Sequence, residues 1–161
     1  MNIFKFLKEK IIKPKPEPVT IADEELGTFT LDEYGWFENE VKWLDDECFV
    51  SLNYDEASED SAKQALAVFK RIYSERQSWD ERLRRFAAEC LTDNVNNCWL
   101  DDGAEKITEE QFVARISLEG LWVYNDGSYQ VFFDDDNMYY EHSIIVEGNV
   151  DGEMQTAYIA G

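Results

Sequence analysis

Positive charge is what this sequence has least of. Its 161 residues include 15 Lys and Arg against 35 Asp and Glu, which gives a formal net charge of −20 near neutral pH. Nucleic-acid binding depends on clustered cations that neutralise phosphates, so this balance argues against a nucleic-acid partner and favours a basic protein partner. Hydrophobic residues make up 44% of the chain, so the high charge does not indicate disorder.

Long apolar runs and paired cysteines are also missing. No stretch of about 18 consecutive apolar residues occurs, so no transmembrane helix is predicted. The N-terminus lacks the continuous apolar segment and cleavage site of a secretory signal. Cys48, Cys90 and Cys98 form no C-x-x-C pair, which is typical of reduced thiols. These absences together predict a cytoplasmic protein.

The basic residues that do occur are concentrated in two regions. Residues 1–15 contain five Lys and one Glu, a net charge of +4, which leaves −24 on the remaining 146 residues. Residues 61–91 contain seven Lys and Arg against four acids, whereas residues 118–161 contain nine acids and no Lys or Arg. The chain is therefore predicted to have a mildly basic helical layer and a strongly acidic layer of strands and hairpins.

The first 18 residues are predicted to form a basic helix and a Pro-rich linker ahead of a single acidic domain at 19–161. Apolar residues recur at helical spacing, and prolines 14, 16 and 18 prevent the helix from continuing. The favoured interpretation is that this short amphipathic helix packs on the acidic domain. The alternative is weak membrane association through residues 1–13.

The periodicity of residues 19–161 predicts an α+β fold. Alternating apolar and polar residues indicate three strands between 27 and 54, and four more between 121 and 160. Between them lie three helices, of which two are predicted to start at capping boxes, Ser78 with Glu81 and Thr108 with Gln111. We therefore expect an antiparallel sheet, in the order three strands, three helices and four strands, with the helices packed on one face.

Several short motifs resemble a known bacterial family in their order and spacing. They are Gly27-x-Phe29-x-Leu31, Trp36-Phe37 with Trp43, Trp79 with Phe86-Ala87-Ala88, Asn97-x-Trp99-Leu100, Thr108-Glu109-Glu110-x-Phe112, Asp126-Gly127-Ser128, and His142-Ser143-Ile144-x-Val146 before Asp151-Gly152. The family is the one catalogued as domain of unknown function 2262, and the resemblance covers residues 26–161. It implies a bacterial origin but no activity and no catalytic residues.

Catalytic and metal-binding signals are weak. His142 is the only histidine and shares strand parity with Ile144 and Val146, so a buried structural role is favoured over a functional one. The run Asp134 to Asp136 lacks the alternating acids and the glycine of a calcium loop, so a solvated turn is favoured over a cation site. The three cysteines and His142 contain no close pair suited to zinc. No metal or other cofactor is expected.

The leading functional hypothesis is an acidic protein-binding module, such as an immunity-type protein that occludes a basic nuclease toxin. Two alternatives remain: an enzyme or metal-binding domain that uses the acidic hairpin with His142, and a peripheral membrane protein. The candidate binding face combines acids with aromatic anchors. Its acids are Glu38, Glu40, Asp45, Asp46, Asp126, Asp134, Asp135, Asp136 and Glu141, its candidate anchors are Trp36 and Tyr139, and further aromatic residues of the same strands are Phe49, Trp122, Tyr124 and Tyr140.

Overall fold

The computed structural model describes residues 17–58, 60–140 and 142–161. In these ranges the chain forms one eight-stranded sheet and three α-helices. The strands are β1 (Thr20–Asp23), β2 (Gly27–Leu31), β3 (Trp36–Trp43), β4 (Asp46–Asn53), β5 (Ser117–Val123), β6 (Ser128–Asp134), β7 (Ser143–Asn149) and β8 (Met154–Ala160). The helices are α1 (Ser61–Ser74), α2 (Arg76–Asn94), which continues into a π-helical segment (Val95–Trp99), and α3 (Glu109–Arg115).

The strands lie in the sheet in their order along the chain. Every neighbouring pair is antiparallel except β4 and β5, which run parallel with Phe49 opposite Gly120. The three helices form the crossover between these two strands, as a parallel connection requires. The sheet is therefore two four-stranded antiparallel meanders joined side by side through one parallel pair.

This architecture corrects the predicted one. Four strands precede the helices, because the short strand β1 pairs with β2, Thr20 lying opposite Thr30. The sheet is mixed and not antiparallel, because the helical crossover returns the chain to the end of the sheet where β4 begins. The predicted N-terminal helix lies outside the described residues.

The two predicted capping boxes have different outcomes. At α3 the box is confirmed: the Gln111 amide donates to Thr108 Oγ1 at 3.2 Å, and the Thr108 amide donates to Gln111 Oε1 at 2.8 Å. At α2 it is wrong, because the helix already begins at Arg76 and Ser78 lies inside it. None of the helices in the described ranges is long and apolar enough to cross a membrane.

The core lies between the helices and one face of the sheet. Phe29, Val50, Leu83 and Phe133 are fully buried there. Asp80 of α2 is a buried acid that joins the two layers, since it accepts hydrogen bonds from Trp43 Nε1 at 3.1 Å and from Arg84 Nε at 2.7 Å. A buried carboxylate needs such partners to offset its lost hydration.

Candidate functional site

The second face of the sheet carries no described helix. Because side chains alternate along each strand, the residues between the core positions point to this side. The strand register places them in two adjacent rows that cross the sheet. We call this surface the open face; its rows are Glu40, Phe49, Gly120, Phe132, Ile145 and Tyr158, and then Glu38, Ser51, Trp122, Gln130 and Glu147, with Trp36 and Tyr124 at one end.

Aromatic rings form a continuous cluster on the open face. The ring centroids of Trp36 and Trp122 are 5.3 Å apart, and those of Trp122 and Phe132 are 4.9 Å apart. Tyr124 packs edge-on against Trp36 at 5.5 Å. The side chains of Trp122 and Phe49 remain 40% and 47% exposed. Large exposed rings that hold one another in place are well suited to contact another molecule.

Carboxylates lie beside this cluster and are held by hydrogen bonds. Glu147 Oε1 accepts from Gln130 Nε2 at 2.6 Å and from the Tyr158 hydroxyl at 2.7 Å. The bond to Glu147 raises the pKa of Tyr158 to about 12, so the phenol stays a donor at neutral pH. Glu38 Oε1 accepts from the Ser51 hydroxyl at 3.1 Å. The carboxylates of Glu38 and Glu147 are therefore held in position.

Cations are almost absent from the sheet. Lys42 is the only Lys or Arg in the eight strands, and its Nζ donates to the Asp45 carbonyl at 2.7 Å. Glu40 and Glu47, which lie on the same side of the sheet as Lys42, are exposed. The open face is thus an aromatic surface with a negative surround.

The predicted binding residues do not form one surface. Trp36, Glu38 and Glu40 lie on the open face, as their strand register shows. The remaining acids lie in turns and strand ends at the two ends of the sheet. Asp45, Asp46, Asp134, Asp135 and Asp136 lie at one end, and Asp126 lies at the other. Glu141 lies outside the described residues.

Tyr139 is wrong as an exposed anchor. Its side chain is fully buried, and its hydroxyl donates to the Leu91 carbonyl at 3.1 Å. Burial raises the pKa of this phenol. Asp135 is buried beneath it and accepts hydrogen bonds from the amides of Asn137 and Tyr139. The backbone turns sharply here, with positive φ at Asn137 and Tyr140, so Tyr139 lies in a turn and not on the sheet face.

His142 lies in an acidic depression at one end of the sheet, with Glu119 and Asp134 among its walls. The histidine is half-buried, just before β7 begins, and packs edge-on against Trp99 with centroids 5.5 Å apart. Its Nδ1 is buried and makes no hydrogen bond within the described part of the chain. The predicted parity with Ile144 therefore does not apply, because His142 precedes the regular strand.

Most carboxylates of the acidic depression already have partners. Asp136 pairs with Arg115 at 2.8 Å, and Asp134 Oδ1 accepts from the Asp136 amide at 2.9 Å. The pKa of Glu119 is raised by desolvation and by the nearby charges of Asp134 and Asp135, so its charged form is disfavoured in the acidic depression. In the described ranges, no group of three His, Cys, Asp or Glu side chains is arranged to hold a metal ion.

The motifs that resembled a bacterial family are confirmed by comparison with family models. The model for uncharacterized proteins conserved in bacteria, DUF2262, matches residues 23–159. The chain belongs to this family. The match to the DUF2262 model does not include the basic N-terminal segment, and the motifs given above do not include it either. Searches of the curated proteins and of the solved structures found no match to this DUF2262 chain.

Sequence reasoning missed part of the open face of this DUF2262 protein. Glu47 and Glu147 were not among the candidates, and the exposure of Phe49 and Trp122 could not be read from composition. A usable signal was present for Trp122, since it stands between Leu121 and Val123, which are both fully buried. Alternation along β5 thus assigns this tryptophan to the outer side.

Proposed function

We propose that this protein is an acidic binding module that holds a basic protein partner on the open face of its sheet. One observation supports this most directly: an exposed aromatic cluster lies among fixed carboxylates on a sheet face that no described helix covers. In the immunity-type version of this proposal, the bound module blocks the working surface of a cationic toxin in the bacterial cytoplasm.

The energetics of protein interfaces support this use of the aromatic rings. Binding energy is concentrated in a few large side chains near the centre of an interface, and Trp is the most frequent among them. Trp122 lies between Ser51 and Gln130 on neighbouring strands, near the middle of the open face. From β3 to β8 that face is about 24 Å wide, which suits a standard-sized interface.

The charge distribution supports a basic partner in particular. Glu38, Glu40 and Glu147 lie on or beside the aromatic rows, and the strands contain a single cation, Lys42. Such a field attracts a positively charged protein over a distance of about one Debye length and increases the association rate. It also disfavours acidic competitors.

The acidic depression supports a function less well. Asp134, Asp135 and Asp136 already accept hydrogen bonds from the protein or form an ion pair. An acid–base site or a cation site there would have to share those carboxylates with their present partners. The open face needs no such rearrangement, because its rings and carboxylates are already arranged side by side.

The test compares partner capture by wild-type protein and by open-face variants. The full chain is used to purify its partner from the native bacterium, and affinity is then measured by surface plasmon resonance. Phe49→Ser and Trp122→Ser should each weaken binding about tenfold or more, because each removes a central ring. Raising the salt concentration should lower the association rate more than it raises the dissociation rate.

Tyr34→Ser is the matched control. Tyr34 is 79% exposed but lies in the turn between β2 and β3, outside the rows of the open face, so its loss should leave affinity unchanged. Circular dichroism confirms that each variant is folded. Equal binding by wild type and by both open-face variants, or binding that does not depend on salt, would contradict the proposal.

A further inference from the structure

A second surface, on the helical side of the molecule, has the opposite character. A groove of about 340 Å³ lies between α2 and the turn that joins β7 to β8. We call it the arginine groove; the residues used below are Trp79, Arg82, Arg85, Phe86, Tyr129 and Met154. It combines aromatic and aliphatic walls with two guanidinium groups.

Three of the six arginines that the structure describes, Arg76, Arg82 and Arg85, form no ion pair with a described carboxylate, and two of these three line the groove. Elsewhere, the guanidinium groups of Arg71, Arg84 and Arg115 each form an ion pair of 2.6–2.8 Å. Within the described ranges neither Arg82 nor Arg85 has an acid oxygen within 4.0 Å. Their hydrogen-bonding groups remain available to an external anion.

Arg82 is nevertheless held in place. Its guanidinium lies over the ring of Trp79, 4.4 Å from the ring centroid. Trp79 itself is buried and packs edge-on against Tyr129 at 5.4 Å. A stacked guanidinium loses less freedom when it binds a ligand, because its plane is already fixed.

The floor of the groove contains an unused hydrogen-bond donor. Tyr129 is 2% exposed, and its hydroxyl makes no hydrogen bond to any described residue, although it lines the groove. Burial raises the pKa of Tyr129 to about 12, so the phenol keeps its proton at neutral pH. Gly148 leaves room for this hydroxyl, since a Cβ there would collide with it. Because Tyr129 lines the groove, its hydroxyl is positioned to donate a hydrogen bond to a molecule bound there.

We propose that the arginine groove binds a small organic anion: a flat apolar body that carries one carboxylate or phosphate group. The anionic group would be held by Arg82 and Arg85 and would accept a hydrogen bond from Tyr129. The apolar body would pack against Phe86 and Met154. Arginine guanidinium groups bind planar carboxylates and phosphates through paired hydrogen bonds, which gives this site its selectivity for anions.

Two further residues limit which anion fits. Glu89 and Glu153 also line the groove, and their negative charge opposes a ligand with several anionic groups. The volume of about 340 Å³ is near the lower end for ligand sites, which suits a single aromatic ring system with its anionic substituent. Nucleotide triphosphates and nucleic acid are therefore poor candidates.

The test uses three simple probes on the full-length protein. Phenylacetate and phenyl phosphate carry the predicted anion, and phenylacetamide is the neutral analogue of the first. Nitrogen-15 NMR follows the amides of Gly152 and Glu153 and the side-chain Nε of Arg82. Both anions should give saturable shifts at these groups. Phenylacetamide should bind about tenfold more weakly or worse, because hydrogen bonds between two charged groups are stronger than those to a neutral amide.

Three variants separate the proposed contacts from general charge effects. The double variant Arg82→Gln, Arg85→Gln should lose about tenfold or more in affinity for both anions, and Tyr129→Phe should lose affinity while keeping its ring contact with Trp79. Lys63→Gln removes a cation from the exposed side of α1, away from the groove, and should bind like wild type.

Three results would overturn the proposal. The first is the absence of a saturable shift up to about 10 mM probe. The second is equal binding of phenylacetamide and phenylacetate. The third is an equal loss of affinity in Lys63→Gln and in the arginine double variant. The arginine groove and the open face lie on opposite sides of the sheet layer, so failure of one proposal leaves the other unaffected.

Discussion

The ionisable side chains of this protein behave according to their local contacts and not according to the overall charge. Asp126 has a lowered pKa, because the hydroxyl and the amide of Ser128 donate to its carboxylate. Glu119 has a raised pKa, because its carboxylate loses some hydration and lies near the negative charges of Asp134 and Asp135. The same charge therefore stabilises the fold at one end of the sheet and destabilises it at the other.

Replacement of Glu119 by Gln should increase the free energy of unfolding at pH 7. A pKa raised in the folded state means that wild-type stability falls as the pH rises from 4.5 through that raised pKa. The variant lacks this penalty, so its advantage should be full at neutral pH and absent below 4.5. Urea unfolding at a series of pH values measures the difference.

Glu110→Gln is the control with the opposite sign. Hydrogen bonds at the start of α3, from the backbone and from Thr108, lower the pKa of Glu110. Its charge therefore stabilises the folded state above pH 4.5, and the variant should be less stable than wild type at pH 7. The prediction for Glu119 would be wrong if Glu119→Gln were no more stable than wild type at neutral pH. The charged carboxylate would then carry no energetic penalty in the folded state.

At the scale of elements, the parallel contact between β4 and β5 determines how the sheet is built. Gly120 lies opposite Phe49 in this pair and opposite Phe132 in the next. A Cβ at Gly120 would lie 2.9 Å from the Phe49 carbonyl oxygen, closer than side-chain carbons approach. The absence of a side chain at this position allows the two meanders to meet.

Gly120→Ala should therefore destabilise the protein by about 1–3 kcal/mol, because the strands must separate to accommodate the methyl group. Gly152→Ala is the matched control, since the nearest atom to its Cβ would be the Asn149 carbonyl oxygen at 3.9 Å. Urea denaturation of both variants measures the difference. Equal stability of the two would contradict the role assigned to Gly120.

Most individual elements could be predicted from the sequence, but their pairing could not. Alternation predicted most of the strands, and Thr108 with Gln111 predicted the start of α3, because these signals are local. Ser78 gave a false start because α2 continues directly from α1 after the single residue Glu75. The parallel pairing depends on where a long crossover returns the chain, and no local pattern records that.

The candidate site could likewise be predicted only in part from the sequence. Alternation along β3 places Trp36, Glu38 and Glu40 on one side of that strand. Tyr139 lies in the turn after β6, where positive φ values break any alternation, and no local pattern indicated that it is buried. Alternation along β5 indicates the outer side for Trp122, but how much of a side chain stays exposed depends on packing between distant segments.

At the scale of the whole molecule, the net charge of −20 hides a separation of charge. The strands contain one cation, whereas α1 and α2 contain seven. Several of these join the two layers: Lys70 pairs with Asp23 of β1 at 2.6 Å, and Arg71 pairs with Asp151 at 2.6 Å. Exposed pairs like that of Arg71 contribute little to stability, so the main effect of the separation is a different electrostatic potential on the two sides of the molecule.

The parallel pair also has a consequence for the order of events in folding. Hairpins within each meander close loops of a few residues, whereas contact between Phe49 and Gly120 closes a loop of about 70, at an entropic cost about 2.5 kcal/mol higher. We expect this closure to be the kinetic bottleneck. In a chevron experiment Val50→Ala, in the parallel pair, should slow folding. Ile21→Ala, at the edge of the sheet, should mainly accelerate unfolding. The reverse pattern would show that the parallel pair does not form in the rate-limiting step. A nascent chain therefore cannot complete its central sheet until β5 has left the ribosome.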